Sequence, residues 1–205
     1  MVEGHYLQPG TILADRYKVG NVLGEGGFGI TYVGDDLKKG KLVAIKEFYP
    51  QGYCTRDTVV TDLVTLYSSV PLEMINKWMN GFMREAKVLA ECNGMPGVVG
   101  VRAYFKANNT AYIVMEYLEG KTLKTILKEE GRIPYDRILD AFFPLMNTLQ
   151  ELHNRKLIHR DISPDNIMVT PYDGMKLLDF GAAREFSFDE TKTMSVMLKK
   201  GFAPE

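Results

Sequence analysis

The sequence predicts an α+β fold in two parts, a strand-rich first half and a helical second half. Residues 17–48 alternate β-prone runs with turn residues, which is typical of an antiparallel meander with short connections. Two more strand-like runs, VVGVRAYF and TAYIVMEYL, follow, so we expect a sheet of about five strands with one helix. After Gly120 the apolar pattern becomes helical, which predicts a boundary between two lobes near residues 119–120.

The composition describes a globular chain and excludes several functional classes. Of 205 residues, 45% are hydrophobic and 25% charged, which argues against a disordered, collagenous or coiled-coil chain. The net charge of −1 gives no electrostatic reason to expect nucleic acid or an anionic membrane as partner. Two cysteines, Cys54 and Cys92, cannot build a disulfide-rich scaffold or a four-cysteine zinc site. With no membrane-length apolar run and no signal peptide, we expect a soluble, cytoplasmic protein.

The run GEGGFG places glycines at Gly24, Gly26 and Gly29 after the first predicted strand. In a dinucleotide-binding domain this spacing opens a helix, but here the β-branched and aromatic run ITYVG follows. We therefore predict a hairpin loop whose backbone N–H groups can approach phosphates, because glycine has no Cβ to obstruct them. A merely flexible hairpin is the alternative.

Lys46 and Glu85 are candidates for an ion pair. In the predicted strand KLVAIKEF, Ala44 and Lys46 share one face, which suits a cleft that holds a flat apolar ring and its charged tail. In the helix predicted over residues 72–92, Glu85 flanks an apolar stripe and is expected to face inward. A surface lysine and a solvated glutamate are the alternatives. The connection over residues 49–70 receives no assignment.

The run LIHRDISPDNIMV predicts a site for a metal ion. Asp161 and Asn166 are five residues apart in a segment that Pro164 keeps from being helical. The runs IMV and MKLL predict a hairpin that begins after Asn166 and ends at Asp179. Because a hairpin brings its open ends together, these two residues are expected to lie close together, and their oxygens suit Mg²⁺ that bridges phosphates. Taken singly, each would be more typical of a turn.

Together these residues resemble the signature motifs of eukaryotic-type (Hanks-type) protein kinases. GEGGFG resembles the glycine-rich loop, VAIK contains the strand lysine, HRDISPDN resembles the catalytic loop, DFG the metal loop and APE the end of the activation segment. The match runs from about Tyr17 to Glu205, and finer features look like bacterial Ser/Thr kinases. It implies an extension at residues 1–16, an N-lobe at 17–119 with a five-stranded antiparallel sheet and helix C, and a partial helical C-lobe at 120–205.

The resemblance also implies the roles of individual residues. Lys46, paired with Glu85, would hold the α- and β-phosphates of ATP. Asp161 would orient the substrate hydroxyl and accept its proton, and Asn166 and Asp179 would bind Mg²⁺.

The other positions that the resemblance assigns to ATP belong to the glycine-rich loop, the residue that follows it, the pair that sandwiches adenine, the gatekeeper and the hinge. In that order they are Gly24, Glu25, Gly26, Gly27, Phe28 and Gly29, then Thr31, Ala44 with Met168, Met115, and Glu116, Tyr117 and Leu118. A spine that couples helix C to the DFG loop would contain Leu89, Val101, His159 and Phe180.

The implied activity is ATP- and Mg²⁺-dependent transfer of the γ-phosphoryl group to Ser or Thr hydroxyls of protein substrates. The alternative is a catalytically inactive, nucleotide-binding fragment that acts as a regulatory or interaction module. A small-molecule kinase of the aminoglycoside or choline type is a more distant reading, because it usually lacks a DFG–APE segment. Hydroxyls at Thr191, Thr193 and Ser195 are candidate phosphorylation sites, with Arg160 as a basic partner.

Four features depart from the family pattern. Thr31 replaces a valine, and Ser163 replaces the lysine that most Ser/Thr kinases carry two residues after the catalytic aspartate. Leu198 replaces the threonine that usually contacts that lysine, which leaves the hydroxyl class of the substrate open. The sequence also ends at APE, where the family fold normally continues, so a fragment of a longer kinase is expected. Taken alone, it would be of low stability or would self-associate through an apolar face of the helix at 135–154.

Overall fold

The computed structural model of the chain describes residues 4–159, 161–171, 174–180 and 184–185. The described residues divide into two compact units. The first contains the residues up to 91 together with 100–117, and the second contains 92–99 and those from 118 onward. None of the described helices is long and apolar enough to cross a membrane.

The first unit is built on an antiparallel sheet. In chain order its elements are β1 (Ile12–Leu13), β2 (Tyr17–Gly26), β3 (Gly29–Asp36), β4 (Lys41–Phe48), β5 (Cys54–Thr55), β6 (Thr65–Leu66), α1 (Leu72–Glu91), β7 (Val101–Ala107) and β8 (Thr110–Glu116). Six strands form the main sheet in the order β1-β2-β3-β4-β8-β7, and β5 pairs with β6 separately. The prediction of five strands was one short. Strand β1, which pairs with β2, has only two residues and therefore shows no alternation along the sequence.

Strand β4 shows how the sheet divides apolar from functional side chains. Val43 and Ile45 are buried in the core, while Ala44 and Lys46 are half-buried on the opposite face. This confirms the predicted alternation, in which successive side chains of a strand point to opposite faces. On β4, one face therefore packs in the core, and the other carries the side chains that are predicted to contact nucleotide.

Asp36 at the end of β3 forms a bidentate ion pair with Arg16. Arg16 Nε donates to Asp36 Oδ1 at 2.8 Å, and Arg16 Nη2 donates to Oδ2 at 2.7 Å. The hydrogen bonds from Arg16 outweigh the effect of burial and lower the pKa of Asp36 to about 2. The pair links the turn before β2 to the end of β3. Because the Asp36 carboxylate loses its charge in acid, the contribution of the pair to stability depends on pH.

The Asp36→Asn variant is expected to be less stable than the wild type at neutral pH and less sensitive to acid. Since the pKa of Asp36 is depressed in the folded chain, its contribution is complete above the ordinary aspartate pKa of about 3.9 and is lost as the pH falls towards about 2. Urea unfolding midpoints at pH 5, 4, 3 and 2 measure this slope. Asp35→Asn, at an exposed neighbouring position, is the matched control. An unchanged acid slope in Asp36→Asn would contradict the assignment.

Helix α1 confirms the helix predicted over residues 72–92. Its buried residues repeat with helical spacing and are Ile75, Phe82, Glu85, Ala86 and Leu89. The chain leaves the helix through a turn in which Gly94 adopts a φ of +89°, which glycine tolerates without steric cost. Among the buried residues of α1, Glu85 carries the only charge.

The unassigned connection at residues 49–70 supplies a buried arginine. Arg56 Nη2 pairs with Glu47 Oε1, Arg56 Nη1 donates to Glu47 Oε2 at 3.2 Å, and both side chains are 0% exposed. The hydroxyls of Tyr32 and Tyr112 each donate to the Glu47 carboxylate at 2.9 Å. Burial lowers the pKa of Arg56, but the hydrogen bonds to Glu47 outweigh it and raise this pKa above its usual value. The first unit therefore contains a buried, hydrogen-bonded arginine–glutamate pair in its core.

The second unit is smaller in strand content. In chain order its elements are β9 (Lys121–Thr122), α2 (Leu123–Glu130), α3 (Tyr135–Asn154), β10 (Leu157–Ile158), β11 (Ile167–Thr170), β12 (Gly174–Leu177) and β13 (Arg184–Glu185). Strand β11 pairs with both β12 and β9, and β10 pairs with β13. Thr122 Oγ1 accepts a hydrogen bond from Thr125 N and so caps the start of α2.

Helix α3 has the bounds that the sequence predicts and contains Pro144. Leu145 and Leu152 are buried, whereas Phe143 and Met146 on the same helix are 56% and 55% exposed. Exposed apolar side chains on this helix were expected. Self-association through this surface stays a prediction.

Candidate active site

The glycine-rich loop is the hairpin between β2 and β3. Gly26 pairs with Gly29 across the strands, so a strand follows the loop, as predicted. A Cβ built at Gly24, Gly26 or Gly27 would meet nothing within 4 Å, so the loop has open space for an approaching phosphate. Gly29 is required for a different reason: a Cβ at this position would lie 2.7 Å from the carbonyl oxygen of Glu47, so a side chain does not fit.

Lys46 and Glu85 form the predicted ion pair. Lys46 Nζ donates to Glu85 Oε1 at 2.9 Å, and the side chains are 20% and 6% exposed. The ammonium group also lies 5.8 Å from the centroid of the Phe82 ring. A lysine held by a nearly buried carboxylate presents an oriented positive charge, which suits binding of an anionic group.

Three of the other residues predicted to contact nucleotide lie near Lys46 on the sheet. Lys46 pairs with Thr31 of β3, and Ala44 pairs with Met115 of β8. Met115 is 8% exposed, and Ala44 and Thr31 are half-buried. The sheet thus places a threonine, an alanine and a methionine near the lysine.

The predicted hinge residues begin at the end of β8. The Glu116 carboxylate accepts a hydrogen bond from Gly100 N at 3.0 Å and lies 3.6 Å from Arg102 Nη2. The side chain of Glu116 is therefore engaged with the start of β7, while Tyr117 and Leu118 are half-buried.

In the second unit, Asn166 is held by Asp161. Asn166 Nδ2 donates to the Asp161 backbone oxygen at 2.9 Å and to Asp161 Oδ2 at 2.8 Å. The loop between them is closed by a hydrogen bond from Asn166 N to the Ser163 oxygen at 2.9 Å. Because the amide nitrogen faces Asp161, the amide oxygen Oδ1 is the atom of Asn166 that is suited to a cation.

Asn166 and Asp179 lie at the same end of the β11–β12 hairpin. Ile167 pairs with Leu177, and Leu178 N donates to the backbone oxygen of Asn166 at 3.0 Å. Asp179 is the next residue. The described residues contain no group of three or more His, Cys, Asp or Glu that could hold a metal ion. An amide and a carboxylate oxygen nevertheless fit Mg²⁺, which commonly takes few protein ligands and completes its shell with phosphate and water oxygens.

His159 is buried and contacts the loop that contains Asp161. It is 1% exposed, its ring packs edge-on against Phe180 at 4.6 Å between centroids, and its Nδ1 accepts from Asp161 N at 3.3 Å. Burial lowers the pKa of His159, although Asp179 and Asp161 act in the opposite direction. A neutral ring fits its role as acceptor for Asp161 N. The predicted pairing of His159 with Phe180 is thus present within the second unit.

Two features near the loop at residues 161–166 were not predicted. Lys124 Nζ of α2 forms an ion pair with Asp165 Oδ1 at 2.6 Å, and the charge pattern along α2 gave no sign of a partner 41 residues away. Ser163, at the position where the family carries lysine, is 3% exposed. Met168, predicted to cover adenine, is half-buried and pairs with Thr122 of β9.

Several predicted residues lie outside the described part of the chain. They are Arg160, Thr191, Thr193, Ser195, Leu198 and the APE run that ends at Glu205. Phosphorylation in this segment and the effect of Leu198 stay predictions.

The chain is similar to known proteins over most of its length. It is 34% identical over 176 residues to "Serine/threonine-protein kinase PknA" of Nostoc sp., with 85% of this chain and 28% of that protein covered. It is 30% identical over 192 residues to "Probable serine/threonine-protein kinase PknB" of Lactococcus lactis, with 92% of this chain and 27% of that protein covered. The chain thus spans about a quarter of the length of these curated relatives.

A solved structure and a family profile agree with these relatives. The structure "PpkA-294 apo form" matches with a TM-score of 0.80 and 30% identity, covering 86% of this chain and 62% of that one. The profile described as "Protein kinase domain" matches residues 17–205. On this evidence the chain belongs to the protein kinase domain family.

Proposed function

We propose that the chain transfers the γ-phosphoryl group of ATP to Ser or Thr hydroxyls of protein substrates with the help of Mg²⁺. The observation that carries this proposal is the 2.9 Å ion pair between Lys46 Nζ and Glu85 Oε1 on a half-buried face of the sheet. Phosphoryl transfer needs positioning and charge neutralisation more than covalent chemistry, and an oriented lysine supplies both.

The first unit would bind the triphosphate. Lys46 would hold the α- and β-phosphates, and Glu85 would keep its ammonium group in place. The backbone N–H groups around Gly24, Gly26 and Gly27 would approach the phosphates, since open space surrounds all three glycines. Ala44 would be one of the two residues that sandwich the adenine ring, and Met115 would be the gatekeeper.

The second unit would supply the proton acceptor and the metal ligands. Asp161 would orient the substrate hydroxyl and accept its proton, and the hydrogen bond from Asn166 Nδ2 would hold its carboxylate in one orientation. Asn166 and Asp179 would bind Mg²⁺, which neutralises phosphate charge when bound. Ser or Thr as acceptor is supported by the names of the relatives, while Ser163 removes a positive charge that most such kinases use.

Removal of Mg²⁺ tests the proposal. The chain is incubated with γ-³²P-labelled ATP, Mg²⁺ and dephosphorylated casein, and labelled phosphoserine and phosphothreonine are measured. We expect excess EDTA to reduce incorporation about 100-fold or more, because a bound metal contributes several kcal/mol of charge stabilisation, and added Mg²⁺ to restore it.

Two results would contradict the proposal. Incorporation that persists in EDTA would exclude a metal-dependent transfer. Saturable ATP binding with no labelled product at any Mg²⁺ concentration would favour the inactive nucleotide-binding module instead.

A further inference from the structure

Glu25, inside the glycine-rich loop, is held by three side chains from outside that loop. Tyr6 OH donates to Glu25 Oε2 at 2.5 Å, Gln51 Nε2 donates to Oε1 at 2.5 Å, and His5 Nε2 lies 3.1 Å from Oε1. Partial burial raises the pKa of Glu25, but the hydrogen bonds from Tyr6, Gln51 and His5 outweigh it, so this pKa lies below its usual value. The acceptor is therefore a carboxylate, and hydrogen bonds to a charged acceptor are the stronger class.

The tip of the loop contacts the segment at residues 49–51 and the side chain of Trp78. Tyr49 N donates to the Phe28 oxygen and Gln51 N to the Gly27 oxygen, each at 3.0 Å. The Phe28 ring meets the Trp78 ring edge-on, with 5.1 Å between centroids. The loop is thus fixed at its backbone, at its tip and at its one carboxylate.

The segment that holds Glu25 is itself anchored in the core. Arg56 Nη1 donates to the backbone oxygen of His5 at 3.0 Å, and Arg56 is paired with the buried Glu47. Thr58 adds two hydrogen bonds to the Gly4 oxygen, from its N at 3.2 Å and its Oγ1 at 3.0 Å. The segment that carries His5 and Tyr6 is therefore tied to the buried Arg56–Glu47 pair, so its contacts to Glu25 can restrain the loop.

We propose that Tyr6, His5 and Gln51 are positioning residues that hold the glycine-rich loop, through Glu25, in the conformation that binds phosphate. This inference rests on the proposed function. A loop with glycines at 24, 26 and 27 loses much conformational entropy when it becomes ordered around a ligand. Restraints present before binding remove part of that cost, so they raise affinity by preorganisation.

Trp78 provides a direct probe of the loop, because it is the only tryptophan in the chain and contacts Phe28 at the loop tip. We expect Tyr6→Phe and Gln51→Ala to increase acrylamide quenching of Trp78 fluorescence without nucleotide, about twofold in the double variant, because an untethered loop opens more often. The matched control is Tyr104→Phe, at a 41% exposed position in β7. Gln51 is exposed, so its truncation leaves the fold intact.

MgATP binding then separates positioning from stability. Each single variant is expected to raise the Kd for MgATP about three- to tenfold with kcat nearly unchanged, whereas Tyr104→Phe changes neither. Tyr6→Phe is expected to raise the Kd for MgATP by a smaller factor in the Glu25→Gln background than in the wild type, because both substitutions remove the same contact.

The outcomes are distinguishable from those of the proposed function. Unchanged quenching in both variants, or increased quenching with an unchanged or lower Kd for MgATP, would overturn the positioning role while phosphoryl transfer stands. Additive effects of Tyr6→Phe and Glu25→Gln would also overturn it. If the wild-type chain transferred no phosphoryl group, but the variants still differed from it in Trp78 quenching and in the Kd for MgATP, the positioning role would stand and the kinase activity would be rejected.

Discussion

Asp161→Asn is expected to lower kcat for phosphoryl transfer by about 10²- to 10⁴-fold, with the Kd for MgATP changed less than about twofold. The substituted amide cannot accept the hydroxyl proton at neutral pH. Its oxygen can still accept the hydrogen bond that Asn166 Nδ2 makes to Asp161 Oδ2 at 2.8 Å, so the loop keeps its geometry. Steady-state rates of labelled phosphate transfer and a separate nucleotide-binding titration measure the two quantities.

Asp165→Asn is the matched control for this variant. Asp165 lies in the same loop, but its carboxylate pairs with Lys124 at 2.6 Å and has no proposed role in the reaction. We expect its kcat to stay within about threefold of the wild type, since exposed ion pairs contribute little. If Asp161→Asn kept more than a tenth of the wild-type kcat, another group would have to accept the proton.

The largest expected effect on stability comes from Glu47→Gln. Glu47 and Arg56 are both 0% exposed, so loss of the carboxylate leaves a buried guanidinium without its counter-charge. Breaking a buried pair by removing one partner typically costs about 3–5 kcal/mol. Tyr32 and Tyr112 also donate to this carboxylate, so the amide nitrogen of Gln would face donors. The free energy of unfolding from urea titration measures the loss.

Glu73→Gln is the matched control, because Glu73 is exposed in the first turn of α1. We expect a loss of no more than about 1 kcal/mol there, the usual contribution of an exposed carboxylate in the first turn of a helix. Since Arg56 also donates to the His5 oxygen, Glu47→Gln should increase Trp78 quenching as well. A loss of less than about 1 kcal/mol would show that the buried arginine finds compensation elsewhere.

Much of the candidate site could be predicted because its signals are local. The alternation in β4 separates Lys46 from the core, and the helical stripe in α1 turns Glu85 inward. The β11–β12 hairpin brings Asn166 and Asp179 to one end, since a hairpin joins residues that are near in sequence. Periods of two and 3.6 residues, and short turns, can be read from a few neighbouring residues.

Other features carry no such signal. The strand Ile12–Leu13 is too short to show a period, and the connection at 49–70 contains only two short strands. The sequence shows Arg56 as an ordinary polar residue in a loop, yet it is fully buried against Glu47. Charge and loop position predict exposure for such a residue, so the buried pair could not be anticipated.

By itself, then, the sequence determined the longer strands and helices and identified the residues that we propose to bind phosphate and metal. Only the tertiary structure decided which side chains meet between elements: Arg56 with Glu47, Tyr6 with Glu25 and Lys124 with Asp165. Each of these contacts joins side chains from different elements or loops. Their partners are selected by how those segments pack, and packing leaves no periodic trace along the chain.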